Sequence, residues 1–494
     1  MKTIWENKIK KFDKLNQNIS CDTLIIGGGI AGIWCAYKLT KAGQKVCVLE
    51  ANRIGSGVTA GSSSILTFAQ ELLYNTLINK HGTDTAKQYL SDTQKAIKEI
   101  VQVVKEEKIN CDLQETNFIL YSTKLCGAKK IVKEKKAFET LELNLDFVSL
   151  TELPHQSKKA LLAKGSFLLD PLKLMAGLVD YLVKNGAQIF EQTFVTSQPD
   201  GKILKIDNNT IHAKNFIVAT HYPFINFPGF YFLKLYQSQN YTIVFKPPQK
   251  QESFALNTTY ECIDKNGFEY RRVGKNILCL GPDVRTGKKT YHSKYRIIEE
   301  HLKEDFSEYK EITRFSAQDC ITADQLPYAG LYSNFLNNVY VLTGFNKWGI
   351  TNSYITSSVV CNMITKKISG TKNIYAPDRN NFFASIIQTV KNLGVDIAGW
   401  GENLISFDNK KIARIKKGQG ATVKIKGKRV GIYRDENNKL HCVSATCTHL
   451  GCALKWNKDE TSFDCPCHGS RFNTSGKVLN NPAFENLKKI DLEN

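Results

Sequence analysis

Near its C-terminal end the chain carries Cys447-Thr-His449-Leu-Gly-Cys452, and, with 15 residues between His449 and Cys465, Cys465-Pro-Cys467-His468-Gly-Ser470. Each loop offers one thiolate and one imidazole, spaced Cys-x-His and Cys-x-x-His. These donors can meet only if the fold holds the two loops against each other, so the feature restricts the chain more than any other stretch. Two Cys and two His suit either of two centres. One is a tetrahedral structural zinc site. The other is a [2Fe–2S] cluster in which two Cys hold one iron and two His replace thiolates on the other, which removes negative charge and raises the potential. Zinc leaves Leu450-Gly451-Cys452, Pro466-Cys467 and Gly469-Ser470 without a purpose. The cluster reading assigns Cys447, His449, Cys465 and His468 as ligands.

Both loops resemble those of Rieske iron–sulfur proteins. In the cytochrome bc-type members the two non-ligand cysteines bridge the loops, so the resemblance implies a disulfide between Cys452 and Cys467. It also implies that the Ser470 hydroxyl donates to a cluster sulfide and that Pro482 belongs to a loop closing over the cluster. Phe472 is a departure, because high-potential relatives carry there a Tyr whose hydroxyl points at sulfur. Losing a donor to the more negative, reduced sulfur disfavours reduction. A potential below that of respiratory Rieske proteins is therefore expected.

A second motif stands near the start. Asp22-Thr-Leu-Ile-Ile runs into Gly27-Gly-Gly29-Ile30-Ala31-Gly32, then an apolar helix through Leu39, a stop at Gly43 and a strand Lys45 to Leu49 ending at Glu50. In this strand, turn, helix and strand frame the glycines read as a dinucleotide-binding turn. Gly27 permits the turn, Gly29 lets pyrophosphate approach the backbone, and Gly32 lets the helix pack on the sheet. The helix N-terminus favours the anion, and Glu50 suits a ribose 2′-hydroxyl. A doubly wound domain with no nucleotide could carry the same turn.

The glycine- and hydroxyl-rich run after Arg53, through Thr59 and Ser62 to Thr67, resembles the loop along FAD in the D-amino-acid-oxidase-like superfamily, which includes glycine and sarcosine oxidases. The resemblance implies FAD contacts at Gly27, Gly29, Ile30, Ala31, Gly32, Glu50, Ala51, Arg53, Thr59 and Ser62. It adds Val195, through its backbone to adenine, and Thr220 near the ribityl chain. The run Gly344-Phe-Asn-Lys-Trp348-Gly349-Ile350-Thr351 resembles the C-terminal FAD motif, where a helix dipole favours the anionic reduced ring. Trp348 replaces a small residue there and is expected to restrict access to the ring. His221, next to Thr220, is a candidate for a positional role or a proton shuttle. Arg271 or Arg272 is a candidate for anchoring a substrate carboxylate.

With 494 residues, 42% hydrophobic and 23% charged, the chain has material for two or three cored domains. The expected division is a polar lead-in over 1–20, an FAD-dependent oxidoreductase over 21–375, a linker helix over 376–402 and a Rieske domain over 403–494. The expected fold class is an α/β Rossmann-type FAD-binding domain with an α+β antiparallel-sheet substrate domain, then a small all-β domain. Thr83 to Lys108 has helical periodicity. Asp170-Pro171 starts another helix that ends at Gly186, a strand is expected near Ile189 with Thr193-Phe-Val195-Thr following it, and Asn266-Gly267 suits a type I′ hairpin. The aromatics from Tyr222 to Phe245 read as core. No apolar run reaches a membrane span and the start has no signal-like core, so a cytoplasmic protein is expected. The net charge of +20 comes from scattered lysines, which argues against nucleic acid and leaves room for an acidic redox partner. Of 14 cysteines, ten fall outside the cluster motif and read as small buried hydrophobes.

The expected activity is oxidation of a small amine, amino acid or related substrate by hydride transfer to FAD, with electrons leaving singly through the cluster, as a dehydrogenase rather than an oxidase. The alternative is a redox carrier or reductase served by a protein partner, with no small organic substrate. A Rieske oxygenase is disfavoured, since no 2-His-1-carboxylate iron site is recognisable.

Overall fold

The structure, a computed structural model, describes residues 3–150, 152–248, 258–290, 292–366, 373–379 and 412–491. Strand β1, Ile19–Ile26, is buried without a break from Thr23 onward. Such a run suits a strand with parallel neighbours on both sides and cover on both faces. Those neighbours are β2, Val46–Leu49, and the strand Asn209–Val218. The sheet runs in the order Tyr328–Leu331, Val339–Thr343, Asn209–Val218, β1, β2, Gln188–Phe190, with Ile203–Ile206 added on Asn209–Val218. Helix α1, Ile30–Lys41, packs against the helix Gly349–Lys366, where Trp34 and Tyr354 meet edge to face at 4.8 Å.

A second, mostly antiparallel sheet is built around Leu235–Lys246 and Lys310–Thr322, paired from Leu235↔Thr322 to Lys246↔Lys310. Side chains alternate between faces along a strand. Gln237, Gln239 and Tyr241 therefore lie on one face with Gln318, while Ser238 and Asn240 lie on the other with Asp319. The C-terminal region holds two antiparallel sheets, Gln419–Ile425 with Lys428–Arg434 and Leu440–Ser444, and a four-stranded one from Lys455–Asn457 to Val478–Asn480. This matches the expected fold class of a flavin-type α/β domain, an antiparallel substrate sheet and a small all-β unit.

Local expectations hold where one short pattern determines them. The helix Thr83–Glu106 forms, and Asp170 caps Pro171–Lys184 by accepting from the amides of Leu172 and Lys173. Seven of the ten further cysteines are buried, with Cys126 exposed and Cys262 and Cys442 partly covered. Three details differ. The lead-in is not simply polar, since buried Ile9 and Leu15 tie its described residues down. The stretch around Val195 leaves the sheet after Phe190. The hairpin turn is centred on Lys265 and Asn266, with Gly267 donating to the Asp264 carbonyl at 2.8 Å. Only Asn266 is left-handed there (φ 63°), so the turn is not type I′. The linker helix lies outside the described residues apart from 376–379. Among the described residues no helix is long and apolar enough to cross a membrane.

Candidate redox site

The glycine turn follows β1 where the parallel strands end. Gly27 has φ 115° and donates to the Leu49 carbonyl at 2.8 Å. A Cβ on Gly27 would overlap the Ala219 carbonyl, and one on Gly32 would overlap the Gly27 carbonyl oxygen. No side chain caps α1 at Gly29, so its first turn is open to a phosphate, apart from the Ile30 amide, which donates to Thr59 Oγ1 at 3.2 Å. Glu50 accepts from the amides of Gly28 and Asn52, each at 2.8 Å, and burial raises its carboxyl above the ordinary range. Ala51 follows it, and Thr193 donates to the Glu50 carbonyl, which brings buried Val195 near the same end. Arg53 is turned away, paired with Glu191 at 3.0 Å and donating to the Ile9 carbonyl. Ser62 accepts from the Trp5 indole through its carbonyl.

The helix Gly349–Lys366 begins beside this turn. Gly344 is left-handed at φ 73°, Gly349 faces open space, and Ile350 is buried. Thr351 is also buried, and its hydroxyl has no partner among the described residues. An open helix start, an orphaned hydroxyl and a glycine-lined turn together fit a flavin dinucleotide.

At the other centre, Cys452 and Cys467 are disulfide-bonded with Cα atoms 6.6 Å apart. Cys465 Sγ lies within 4.8 Å of both their sulfurs, but bonded sulfurs cannot serve as thiolate ligands. The remaining donors fit a cluster. Cys447 and Cys465 are buried beside each other. The rings of His449 and His468 stand 4.9 Å apart at 90°. The Nδ1 atoms of both are buried without partners among the described residues, and burial holds both imidazoles neutral by lowering their pKa, to about 4 for His449 and about 3 for His468. Neutral imidazole is the ligating form. Ser470 accepts from the Ala483 amide at 3.0 Å, leaving its proton for sulfur.

The two centres face each other across a contact that the spacing of motifs did not reveal. His449 Nε2 meets Asn226 Oδ1 at 2.9 Å, and Asn481, before Pro482, donates to the carbonyls of Thr220 and Tyr222. Gln237 Nε2 donates to the His468 carbonyl at 2.8 Å and the Asn481 carbonyl at 2.9 Å, while Gln318 donates to the Gly469 carbonyl. His221 Nε2 meets Gln237 Oε1 at 3.3 Å. A Cβ on Gly287 would overlap Pro466, so backbone meets backbone there. The aromatic run is accordingly split. Tyr222, Tyr231 and Tyr241 are core, whereas Phe232 packs on the His468 ring at 6.1 Å and Phe227 is exposed. Gln237 and Gln239, two residues apart on one face of the strand Leu235–Lys246, were the available signal for this seat.

Behind the same strands lies a cavity of about 400 Å³ that includes Arg271, Lys347 and Trp348 in its lining. Arg271 is buried, bonded to Ser63 Oγ and to Glu269 at 2.6 Å. Arg272 points elsewhere, to the Gly274 carbonyl. Trp348 is buried and meets Phe118 edge to face.

Residues 22–363 match the family model described as FAD dependent oxidoreductase, and residues 407–491 match the Rieske [2Fe-2S] domain. The chain belongs to the FAD dependent oxidoreductase family. This oxidoreductase is 33% identical to the Rieske 2Fe-2S iron-sulfur protein YhfW of Bacillus subtilis (strain 168), over 99% of its own length and 98% of the relative's. It is 24% identical to gamma-glutamylputrescine oxidoreductase of Escherichia coli (strain K12), over 72% of its own length and 87% of the relative's. Its fold is similar to glycine oxidase from Geobacillus kaustophilus, with TM-score 0.61 and 17% identity, covering 73% of this chain and 99% of that one. FAD and a [2Fe–2S] Rieske cluster are thus the cofactors of this oxidoreductase. Bound there, FAD supplies hydride acceptance and the cluster single-electron acceptance.

Proposed function

We propose that this chain is a dehydrogenase that oxidises a small amine or amino acid at its flavin and releases the electrons one at a time through its cluster. The observation that carries this reading is the seat described above. Residues next to the flavin motif, Thr220, His221 and Tyr222, are joined through Gln237 and Asn481 to the loop bearing His468. Such a fixed contact serves transfer between two centres. The sheltered cavity beside Trp348 supports a small organic substrate over a purely protein-served carrier. Relatives named for glutamylputrescine and glycine oxidation point to amine chemistry.

In this reading Cys447, His449, Cys465 and His468 hold the cluster. The flavin is held by the turn from Gly27 to Gly32, by Glu50, Ala51, Thr59, Ser62, Val195 and Thr220, and by the run from Gly344 to Thr351. His221 is a positioning residue, since burial lowers it to about 4 and keeps it neutral. The electron acceptor is a soluble carrier, for which the +20 charge favours an acidic face. The test is anaerobic mixing of the holoprotein with a panel of amines, amino acids and hydroxy acids. Flavin bleaching followed by the reduced-cluster paramagnetic signal is expected. If no compound bleaches the flavin while a reduced protein partner does, the carrier reading replaces this one.

A further inference from the structure

The cavity beside Trp348 has an unusual charge. Glu261 stands directly opposite Glu269 in the antiparallel pair Thr258–Cys262 and Glu269–Val273, and like charges so placed repel. Arg271, two residues along on the same face, gives its Nη2 to Glu269 at 2.6 Å. Lys347 is engaged by Glu71 at 2.7 Å and Asp283 at 3.4 Å. Each of these two cations therefore already faces a carboxylate of the lining, and the third, Lys265, is exposed.

Three carboxyls in the lining keep no cation of their own among the described residues, and of these Asp264 is satisfied by Ser122 and Thr123, which leaves Glu261 and Asp319. Asp319 accepts only from the Asn240 amide, at 2.8 Å. Glu261 is 3% exposed, and its Oε2 is buried with no partner. An uncompensated buried carboxylate costs several kcal/mol. Burial and the neighbouring Glu269 accordingly push the Glu261 carboxyl well above its usual range, and burial pushes Asp319 up to about 7. A bound cation would relieve Glu261, and a second positive charge further along the cavity would relieve Asp319, which stands across the intervening strands of the sheet. A substrate carboxylate would add a further negative charge and find Arg271 Nη1 and Nη2 already given to Ser63 and Glu269, with only the buried Nε unpaired among the described residues. A bare monovalent ion would leave most of the 400 Å³ unfilled, and the lining includes Leu72, Leu280 and Trp348, which offer apolar wall for a methylene chain.

We infer that this cavity takes an aliphatic diamine, or a longer polyamine, with one ammonium group held by Glu261 and the methylene chain laid along Leu280 and Trp348 toward Asp319. The inference rests on the amine-oxidation reading only for what happens to the other end of the ligand. It differs from the expectation that Arg271 anchors a substrate carboxylate.

The test is calorimetric titration of the dithionite-reduced holoprotein, in which binding cannot be followed by oxidation. The ligands are butanediamine, butylamine, glycine and succinate. Butanediamine is expected to bind at least about tenfold more tightly than butylamine, which lacks the second charge, with glycine and succinate weaker still. Glu261→Gln is expected to weaken butanediamine by about thirtyfold, as loss of one member of a buried charge pair does, while the flavin and cluster spectra stay intact. If that variant does not yield holoprotein, Asp319→Asn is read the same way. Equal affinity for the two amines, preference for glycine or succinate, or unchanged diamine binding in the variant overturns the inference. Diamine selectivity without flavin bleaching by any amine keeps the ligand class and removes the oxidation reading. Bleaching by amines without diamine selectivity does the reverse.

Discussion

Gln237 joins His221 to the backbone of His468. Its Oε1 lies 3.3 Å from His221 Nε2, and its Nε2 lies 2.8 Å from the His468 carbonyl. Because Gln237 Oε1 can only accept, His221 carries its proton on Nε2, and burial keeps the ring neutral down to about pH 4. Gln237→Leu keeps the volume but leaves the carbonyls of His468 and Asn481 unpaired, at a cost to docking of about 2 kcal/mol. The expected outcome is slower reduction of the cluster by photoreduced flavin, with unchanged flavin reduction and an unchanged cluster signal. Equal transfer rates in the two proteins would remove Gln237 from the route.

Phe472 is fully buried in the same cluster of side chains as Cys447 and Cys465. Phe472→Tyr supplies a hydroxyl that favours the more negative, reduced sulfur. One such bond, at about 1 kcal/mol, raises a one-electron potential by roughly 40 mV. Redox titration of the cluster signal checks this, and a potential that stays put or falls contradicts it.

Gly32 has no room for a methyl group, since its Cβ would overlap the Gly27 carbonyl in the turn that receives the phosphate. Overpacking of this kind costs about 1–3 kcal/mol, and here it displaces the binding loop itself. Gly32→Ala should purify with its iron but with little flavin. A normal flavin-to-iron ratio would show that the turn yields without harm.

Glu134 accepts from the amides of Tyr74 and Asn75 at the start of the helix Leu73–His81, yet burial outweighs these bonds and pushes its carboxyl from 4.5 up to about 7. The folded protein thus holds a proton that the unfolded chain has already released. The stabilisation is complete below about pH 4.5 and is lost as the pH rises through about 7, an effect on the order of 3 kcal/mol. Asp319 has the same sign. Denaturant unfolding near pH 5 and near pH 8 should show the decline, and Glu134→Gln should flatten it. An identical slope in the variant would assign the pH dependence to other groups.

The cluster motif and the glycine turn are legible because neighbouring residues carry them. Cys447 and His449 are two apart, and Gly27 to Gly32 make a single turn. Gln237 and His468 are 231 positions apart, and nothing local marks either as the other's partner. Nothing in the sequence around Glu261 and Glu269 marks that their register sets them face to face. The Asn266 turn departs from type I′ for a related reason. The flanking strands pair only as far as Glu261↔Glu269, which leaves a loop too long for the two-residue turn that Asn-Gly favours.

The tight seat of Pro466 on Gly287 and of Gly469 on Gln237 has a consequence for traffic. A head group wedged at these two points cannot travel between donor and recipient, as a tethered shuttle would. On the proposed function, current would cross a stationary junction, and the next acceptor would come to the outer side of the histidine-bearing loops to collect it.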